Sequence, residues 1–145
     1  MPIENPTAID SAKAQAVQVV EAFLGASMIP DPVRARTYLA AQVKITFTGG
    51  RQFSSAAEVA AFNAVRYGRV SKKFERTEAL AAAVPDEFTV YNSGTLFGAW
   101  PDGEAFAENR YIDRFTVRAG KIVRMEVWND SAELLLVRAG LIKKW

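Results

Sequence analysis

The second half of the chain constrains the fold most. Three stretches long enough to be strands, Phe88 to Ala99, Glu104 to Val117 and Lys121 to Asn129, are separated only by Pro101-Asp102-Gly103 and Ala119-Gly120. Connections this short leave no room for a crossover helix, so neighbouring strands must run antiparallel, as a meander. A fourth stretch, Ser71 to Ala83, joins them through Pro85-Asp86. Its alanine repeats suit a helix as well as a strand.

The first half has a different period. Val17, Val20, Phe23 and Leu24, with Ala16 beside them, recur at helical spacing after a cap at Asp10 or Ser11. Pro30 and Pro32 around Asp31 stop that helix, and Val33 to Ala41 reads as a shorter one carrying Val33 and Tyr38 inward. Val43 to Phe47 alternates as a strand with Val43, Ile45 and Phe47 on one face, ending at Gly49-Gly50. Ser54 or Ser55 ahead of Glu58 has capping-box spacing and opens a third helix through Val59, Phe62 and Val65 to about Gly68. Residues 1–9, with Pro2 and Pro6, read as a loose arm. Ser131 to Val137 reads as a terminal helical turn, followed by a tail in which Trp145 is placed to close a pocket or meet a partner subunit.

Helices, a strand, a helix and then a meander make an α+β order, and 145 residues without a linker or repeat predict one domain. Half the residues are apolar and 23% are charged, which suits a folded globular chain. There is no Cys and no His. Disulfides, thiolate nucleophiles, imidazole acid-base chemistry and histidine-ligated metals are therefore excluded. Eighteen basic against sixteen acidic residues leave +2, too small a surplus to suggest nucleic acid. No uncharged apolar run reaches the roughly 18 residues of a membrane span, which predicts a cytoplasmic protein with no membrane partner. No glycine-rich phosphate turn or acidic cluster is present, so no cofactor or metal is expected.

The segment from Asn109 to Asp130 carries Phe115-Thr116-Val117, Gly120-Lys121-Ile122-Val123 and Trp128-Asn129-Asp130, with Trp100-Pro101-Asp102-Gly103 at the preceding hairpin. With the element order, it resembles the nuclear transport factor 2-like superfamily, in its SnoaL-like and ketosteroid-isomerase-like branch, over nearly the whole chain. The resemblance implies a cone: a curved antiparallel sheet wrapped around three helices, an apolar pocket inside, and dimers formed through the sheet's outer face. It also implies a range of activities, from isomerases, dehydratases and lyases to binding domains, among which the fold cannot choose.

Alternation along the strands nominates the pocket residues. Ala107, Asn109, Tyr111, Asp113, Phe115 and Val117 share a face, and in enzymes this fold resembles that register is the inward one. Asp113 becomes the one obvious buried carboxylate. Tyr91, Ser93, Thr95 and Phe97 are placed inward from the preceding strand, and Val123, Met125, Val127 and Asn129 from the last. Glu126 is a reserve acid if a bulge reverses the strand. Arg110, Ile112 and Arg114 with Glu108, and Ile122, Arg124, Glu126 and Trp128, then form the outer face. Relatives that hydrolyse epoxides carry an Arg and an Asp where Ser93 and Thr95 stand, an acid at Val127, and a water-holding Tyr and Asn at Ile45 and Phe47, so that reaction does not suit this chain.

A lone carboxylate in an aromatic pocket has its charged form disfavoured and suits proton transfer. Two readings of Asp113 stand side by side: a catalytic acid-base group, or an ordinary ionised partner of Arg66, Arg110 or Arg114. Tyr91 and Tyr111 are candidate catalytic hydrogen-bond donors to a developing oxyanion. Asn109, Asn129 and Arg66 are candidate substrate-positioning groups, with Ser93, Thr95, Phe47, Phe97, Met125 and Val127 as walls. Phe23, Phe62 and Phe115, converging with Phe47 and Phe97, would favour a flat aromatic or terpenoid-like ligand. Arg69, Lys72 and Lys73 read as a solvated basic stretch. The function expected is a cofactor-independent lyase or isomerase acting on a small hydrophobic hydroxy or keto compound, including formaldehyde-releasing cleavage of an aryl propanediol or a dehydration. The alternative is a ligand-binding or homodimerisation module without catalysis.

Overall fold

The computed structural model of the protein describes residues 6–144. The elements, in chain order, are α1 (Pro6–Met28), α2 (Pro32–Arg36), β1 (Leu39–Thr46), β2 (Gln52–Phe53), α3 (Ala56–Arg66), β3 (Arg69–Ala81), β4 (Glu87–Ala99), β5 (Ala105–Arg118), β6 (Lys121–Asn129) and α4 (Ser131–Arg138). They form one six-stranded sheet in the order β2-β1-β6-β5-β4-β3, with α1 laid against β3, β4 and β6. The meander from β3 to β6 is antiparallel as the short connections require. The sheet as a whole is mixed, because β1 joins β6 in parallel.

Most boundaries follow local chemistry. Ser55 Oγ accepts from the Glu58 amide at 3.2 Å while the Glu58 carboxylate accepts from the Ser54 amide at 3.1 Å, so the capping box of α3 is shared between two serines. Asp31 caps α2, accepting from the Arg34 amide at 3.1 Å, with Pro32 in the first helical position. That helix is shorter than expected: the chain is already extended from Leu39, Ala35 is its buried residue, and Val33 faces solvent. α1 begins at Pro6, ahead of the expected cap, so residues 6–9 are helical; residues 1–5 and Trp145 lie outside the described residues. The alanine-rich segment is strand, because it completes the ladder with β4.

Three irregularities decide which side chains face inward. Beside the β4–β5 turn, Ala99 pairs with Ala105, but one extra residue at Glu108, in the left-handed region at φ 55°, shifts the ladder so that Leu96 pairs with Asn109. From there Asp113 lies opposite Asn92 and Tyr111 opposite Gly94. Directly opposed residues share a face, so Asn92, Gly94 and Leu96 point inward. Tyr91, Ser93, Thr95 and Phe97 therefore lie on the outer face, the reverse of the sequence expectation, and Phe106 replaces Ala107 inside. Ala119 and Gly120, at φ 48° and 76°, close the next hairpin in a tight two-residue turn. That turn pairs Val117 with Ile122, and a second shift at Val123 pairs Thr116 with Arg124. Ile122 is therefore buried where Val123 was expected, and Met125 and Val127 face in. This bulge turns Glu126 outward, against its reserve role: without it Glu126 would oppose Asp113. A third shift, at Glu75, follows Lys72, which lies opposite inward-facing Leu96.

The main core joins Val20, Phe23 and Leu24 of α1 to Val43 and Ile45 of β1 and to Val90, Phe115, Val117 and Ile122 of the meander. A second cluster, Tyr67, Leu96, Trp100, Phe106 and Tyr111, packs beside α4, with Trp100 stacked 4.4 Å from Phe106 and 5.7 Å from Tyr67. Between these clusters the inner face of the sheet is left partly uncovered, and the cavities lie there.

Candidate active site

A chamber of about 50 Å³ lies over the centre of the sheet, lined by Phe23, Leu24 and Met28 of α1, Phe47, Asn63, Tyr67, Val70, Lys72, Tyr111, Asp113, Met125, Val127 and Asn129 among others. A larger cavity of about 460 Å³ adjoins it, reaching past Ile29, Pro30, Pro32, Ala60, Ala64 and Arg69. Phe23, Ser27, Met28, Val59, Asn63, Tyr67 and Val70 line both spaces. The larger volume falls within the roughly 300–1,000 Å³ range of small-molecule sites.

Asp113 sits on the chamber wall with no exposed surface. Its Oδ2 is ion-paired to Lys72, whose side chain is only 8% exposed, and its Oδ1 has no hydrogen-bond partner among the described residues. Lys72 Nζ also lies 4.0 Å from the centroid of the Tyr111 ring. Lys72 Nζ therefore lies between a carboxylate and an aromatic face, both of which attract positive charge. Burial pushes the Asp113 carboxyl above the ordinary carboxylate range, and the charge and hydrogen bond of Lys72 oppose that rise.

The partner thus differs from all three arginines considered. Arg110 pairs with Asp130 and Arg114 with Glu126 on the outer side of the sheet, while Arg66 donates to Thr48 Oγ1 at 3.2 Å over the ring of Phe62 and lines neither cavity. Lys72 was hidden in what reads as a surface basic stretch. Its inward direction could have been found only from its ladder partner, Leu96, whose facing depends on the Glu108 bulge.

The other candidates divide sharply. Tyr111 lines the chamber, but its hydroxyl donates to Asn92 Oδ1 at 2.6 Å, and Asn92 in turn donates to Thr77 Oγ1 at 2.9 Å. Burial and the adjacent Asp113 carboxylate raise Tyr111 above the ordinary tyrosine range, so it stays a neutral donor to Asn92. Asn109 is buried in a structural network: its Nδ2 donates to Ser131 Oγ at 2.8 Å and its Oδ1 accepts from the Asp130 amide at 3.0 Å. Ser131 Oγ also shares a 2.7 Å hydrogen bond with the Tyr67 hydroxyl. Asn129 lines the chamber and accepts from the Ser131 amide at 3.1 Å. Phe47, Met125 and Val127 are walls as expected. Phe47 packs edge-on to Phe62 and Phe23 edge-on to Phe115, whereas Phe97 is on the outer face.

Among the described residues, no group of three acidic, His or Cys side chains converges to hold a metal ion, and no helix is long and apolar enough to cross a membrane. A buried carboxylate with one oxygen unpaired and the other beside a fixed cation can take up a proton, and can steady negative charge forming on a nearby oxygen.

No protein-family model matches the chain, and no curated protein matches it in sequence. Solved structures do. An NTF2-like protein from Burkholderia thailandensis is 24% identical, aligns over 88% of this chain and 97% of its own, and superposes with a TM-score of 0.65. An NTF2-like protein of unknown function from Burkholderia pseudomallei is 19% identical over 86% of this chain and 95% of its own, with a TM-score of 0.67. TerC, co-crystallised with polyporic acid, is 16% identical over 83% of this chain and 95% of its own, with a TM-score of 0.63. At such identities the likeness speaks for architecture alone: the chain has the nuclear transport factor 2-like fold.

Proposed function

We propose that the protein is a cofactor-independent lyase or isomerase that carries out acid-base chemistry on a small hydrophobic hydroxy or keto compound, with Asp113 as the proton-transferring group. The observation that carries this reading is the fully buried Asp113 carboxylate with one unpaired oxygen on the wall of an apolar chamber. Desolvation raises its proton affinity, and Lys72 lies against the other carboxylate oxygen, where it can balance negative charge developing on a substrate. The same arrangement serves proton abstraction beside a carbonyl, a dehydration, or loss of formaldehyde from an aryl propanediol. Phe23, Phe47 and Tyr67 hold the carbon skeleton, and Asn129 stands near as a neutral amide. That TerC, which has this fold, was co-crystallised with the small organic acid polyporic acid supports small-molecule binding here.

The ion pair favours a second reading, a binding module in which Asp113 is simply neutralised by Lys72. One experiment separates them. Aryl ketones and aryl propanediols are incubated with the protein in deuterated water, and proton exchange at carbon and formaldehyde release are followed by NMR. The catalytic reading expects turnover that falls at least about a hundredfold in Asp113→Asn, the usual scale of general acid-base catalysis. Binding without exchange or product in the wild type would leave the module.

The protein is further proposed to act as a homodimer through the outer sheet face, where Ser93, Ile112 and Trp128 form a row across β4, β5 and β6 and Trp128 is 45% exposed.

A further inference from the structure

The two forms of substrate left open above, hydroxy and keto, place different demands on the chamber. Asp113 Oδ1 can only accept a hydrogen bond while the carboxylate is ionised, and it has no donor among the described residues. A ketone, an ether or an ester brings another acceptor to that oxygen and leaves it unsatisfied. A hydroxyl brings the missing donor. The chamber, at about 50 Å³, has room for a hydroxyl at the edge of a ring, while the adjoining cavity of about 460 Å³ takes the remainder of the molecule. The chamber walls include Phe23, Phe47, Tyr67 and Tyr111, which suit an aromatic ring over a flexible chain.

We infer that the site selects hydroxyaryl compounds, seated with the phenolic hydroxyl donating to Asp113 Oδ1 and its oxygen beside the Lys72 ammonium; the inference rests on the acid-base reading of Asp113 and narrows its substrate class. A phenol, at a pKa of about 10 like tyrosine, gives up a proton to a carboxylate far more readily than an aliphatic alcohol does. In the transfer, the ligand O–H bond breaks and its electron pair stays on the phenolic oxygen. The proton joins Asp113 Oδ1, and the Lys72 cation, released from balancing the carboxylate, balances the phenolate. Lys72 is thus a specificity-determining residue: it makes the oxyanion tolerable in a largely apolar chamber. Tyr111 positions it from below through its ring and keeps its own hydroxyl on Asn92.

The test compares the equilibrium binding of 2-naphthol, 2-methoxynaphthalene and naphthalene by fluorescence titration. Wild type is expected to bind 2-naphthol at least about tenfold tighter than its methyl ether, since the ether leaves a buried charged acceptor unpaired. Asp113→Leu alone strands Lys72, so the decisive variant is the double replacement Lys72→Met with Asp113→Leu, which removes the pair together and is the kind of change folded proteins tolerate. In that variant the three compounds are expected to bind within about twofold of one another. The inference is overturned if the methyl ether matches 2-naphthol in wild type, if the preference survives the double replacement, or if 2-naphthol does not bind. Equal binding of all three leaves proton transfer by Asp113 standing, whereas a hydroxyl preference without isotope exchange sinks the catalytic reading and leaves only the hydroxyl seat at Asp113.

Discussion

Lys72 and Asp113 form an ion pair in which the acid is fully buried and the lysine side chain only 8% exposed. Removing one partner of a buried pair strands the other charge, and Lys72→Met is expected to cost about 3–5 kcal/mol near neutral pH. The loss has a pH signature whose sign follows from burial. Asp113 is already raised above its ordinary range by desolvation, and removing Lys72 takes away the influences that lower it. Between the unfolded value of about 3.9 and the raised folded value, the folded variant binds more protons than the unfolded chain, so its stability falls as pH rises through that window. Denaturant titrations should therefore show the variant approaching wild type at acidic pH and falling behind it toward alkaline pH. A deficit that stays constant across that range would mean that Asp113 is not the stranded group. The carboxylate itself was legible from alternation and resemblance; its partner was not, because a lysine among Arg69, Lys73 and Arg76 has the local pattern of a solvated strand.

Among the elements, the strands matter through their bulges. Each of the three meander ladders slips by one residue, and each slip exchanges the inner and outer faces on one side of it. Alternation grouped the faces of β1 and of the central part of β5, the latter turned inward on the strength of the resemblance, and neither needs correction; β4 was inverted, where the Glu108 bulge intervenes. Close strand approach beside these slips is built on glycine at Gly94: a Cβ there would sit 2.0 Å from the Lys73 carbonyl oxygen and 3.0 Å from the Glu75 amide. Gly94→Ala must push β3 away from β4, at about 1–3 kcal/mol, the usual scale of overpacking. Because Lys72 precedes that contact, the displacement also draws it from Asp113, and the variant should lose hydroxyaryl binding by more than its loss of stability explains. Unchanged stability and affinity would show that the strands part without cost.

For the whole molecule, the outer face of the sheet is where exposed apolar groups gather. Arg114 and Glu126 form a two-point ion pair there, with the Arg114 guanidinium 5.2 Å from the centre of the Trp128 ring, beside Ile112 at 42% exposure. A sheet carrying exposed aromatic and aliphatic groups amid paired charges is suited to meet a second copy of itself. Sedimentation velocity is expected to find a dimer, and Trp128→Glu, at a position that touches no cavity, is expected to convert it to monomer with the fold retained. A wild type that sediments as monomer at high concentration would remove this assignment.

Turn residues, caps and periodicity are local properties, and through them the sequence by itself determined the main helices, the antiparallel meander and the α+β class, while the inward direction of Asp113 and Tyr111 came from the resemblance. Which residues Asp113 meets depends on ladder register, and register is set by non-local pairing. One inserted residue at Glu108 or Val123 is energetically small and leaves hardly any mark on composition or period, yet it reverses every side chain beyond it. Only the tertiary structure, in which core packing selects among those registers, could bring Lys72 inward, turn Tyr91 outward, remove the inward alternative for Glu126, and leave one carboxylate oxygen without a donor among the described residues.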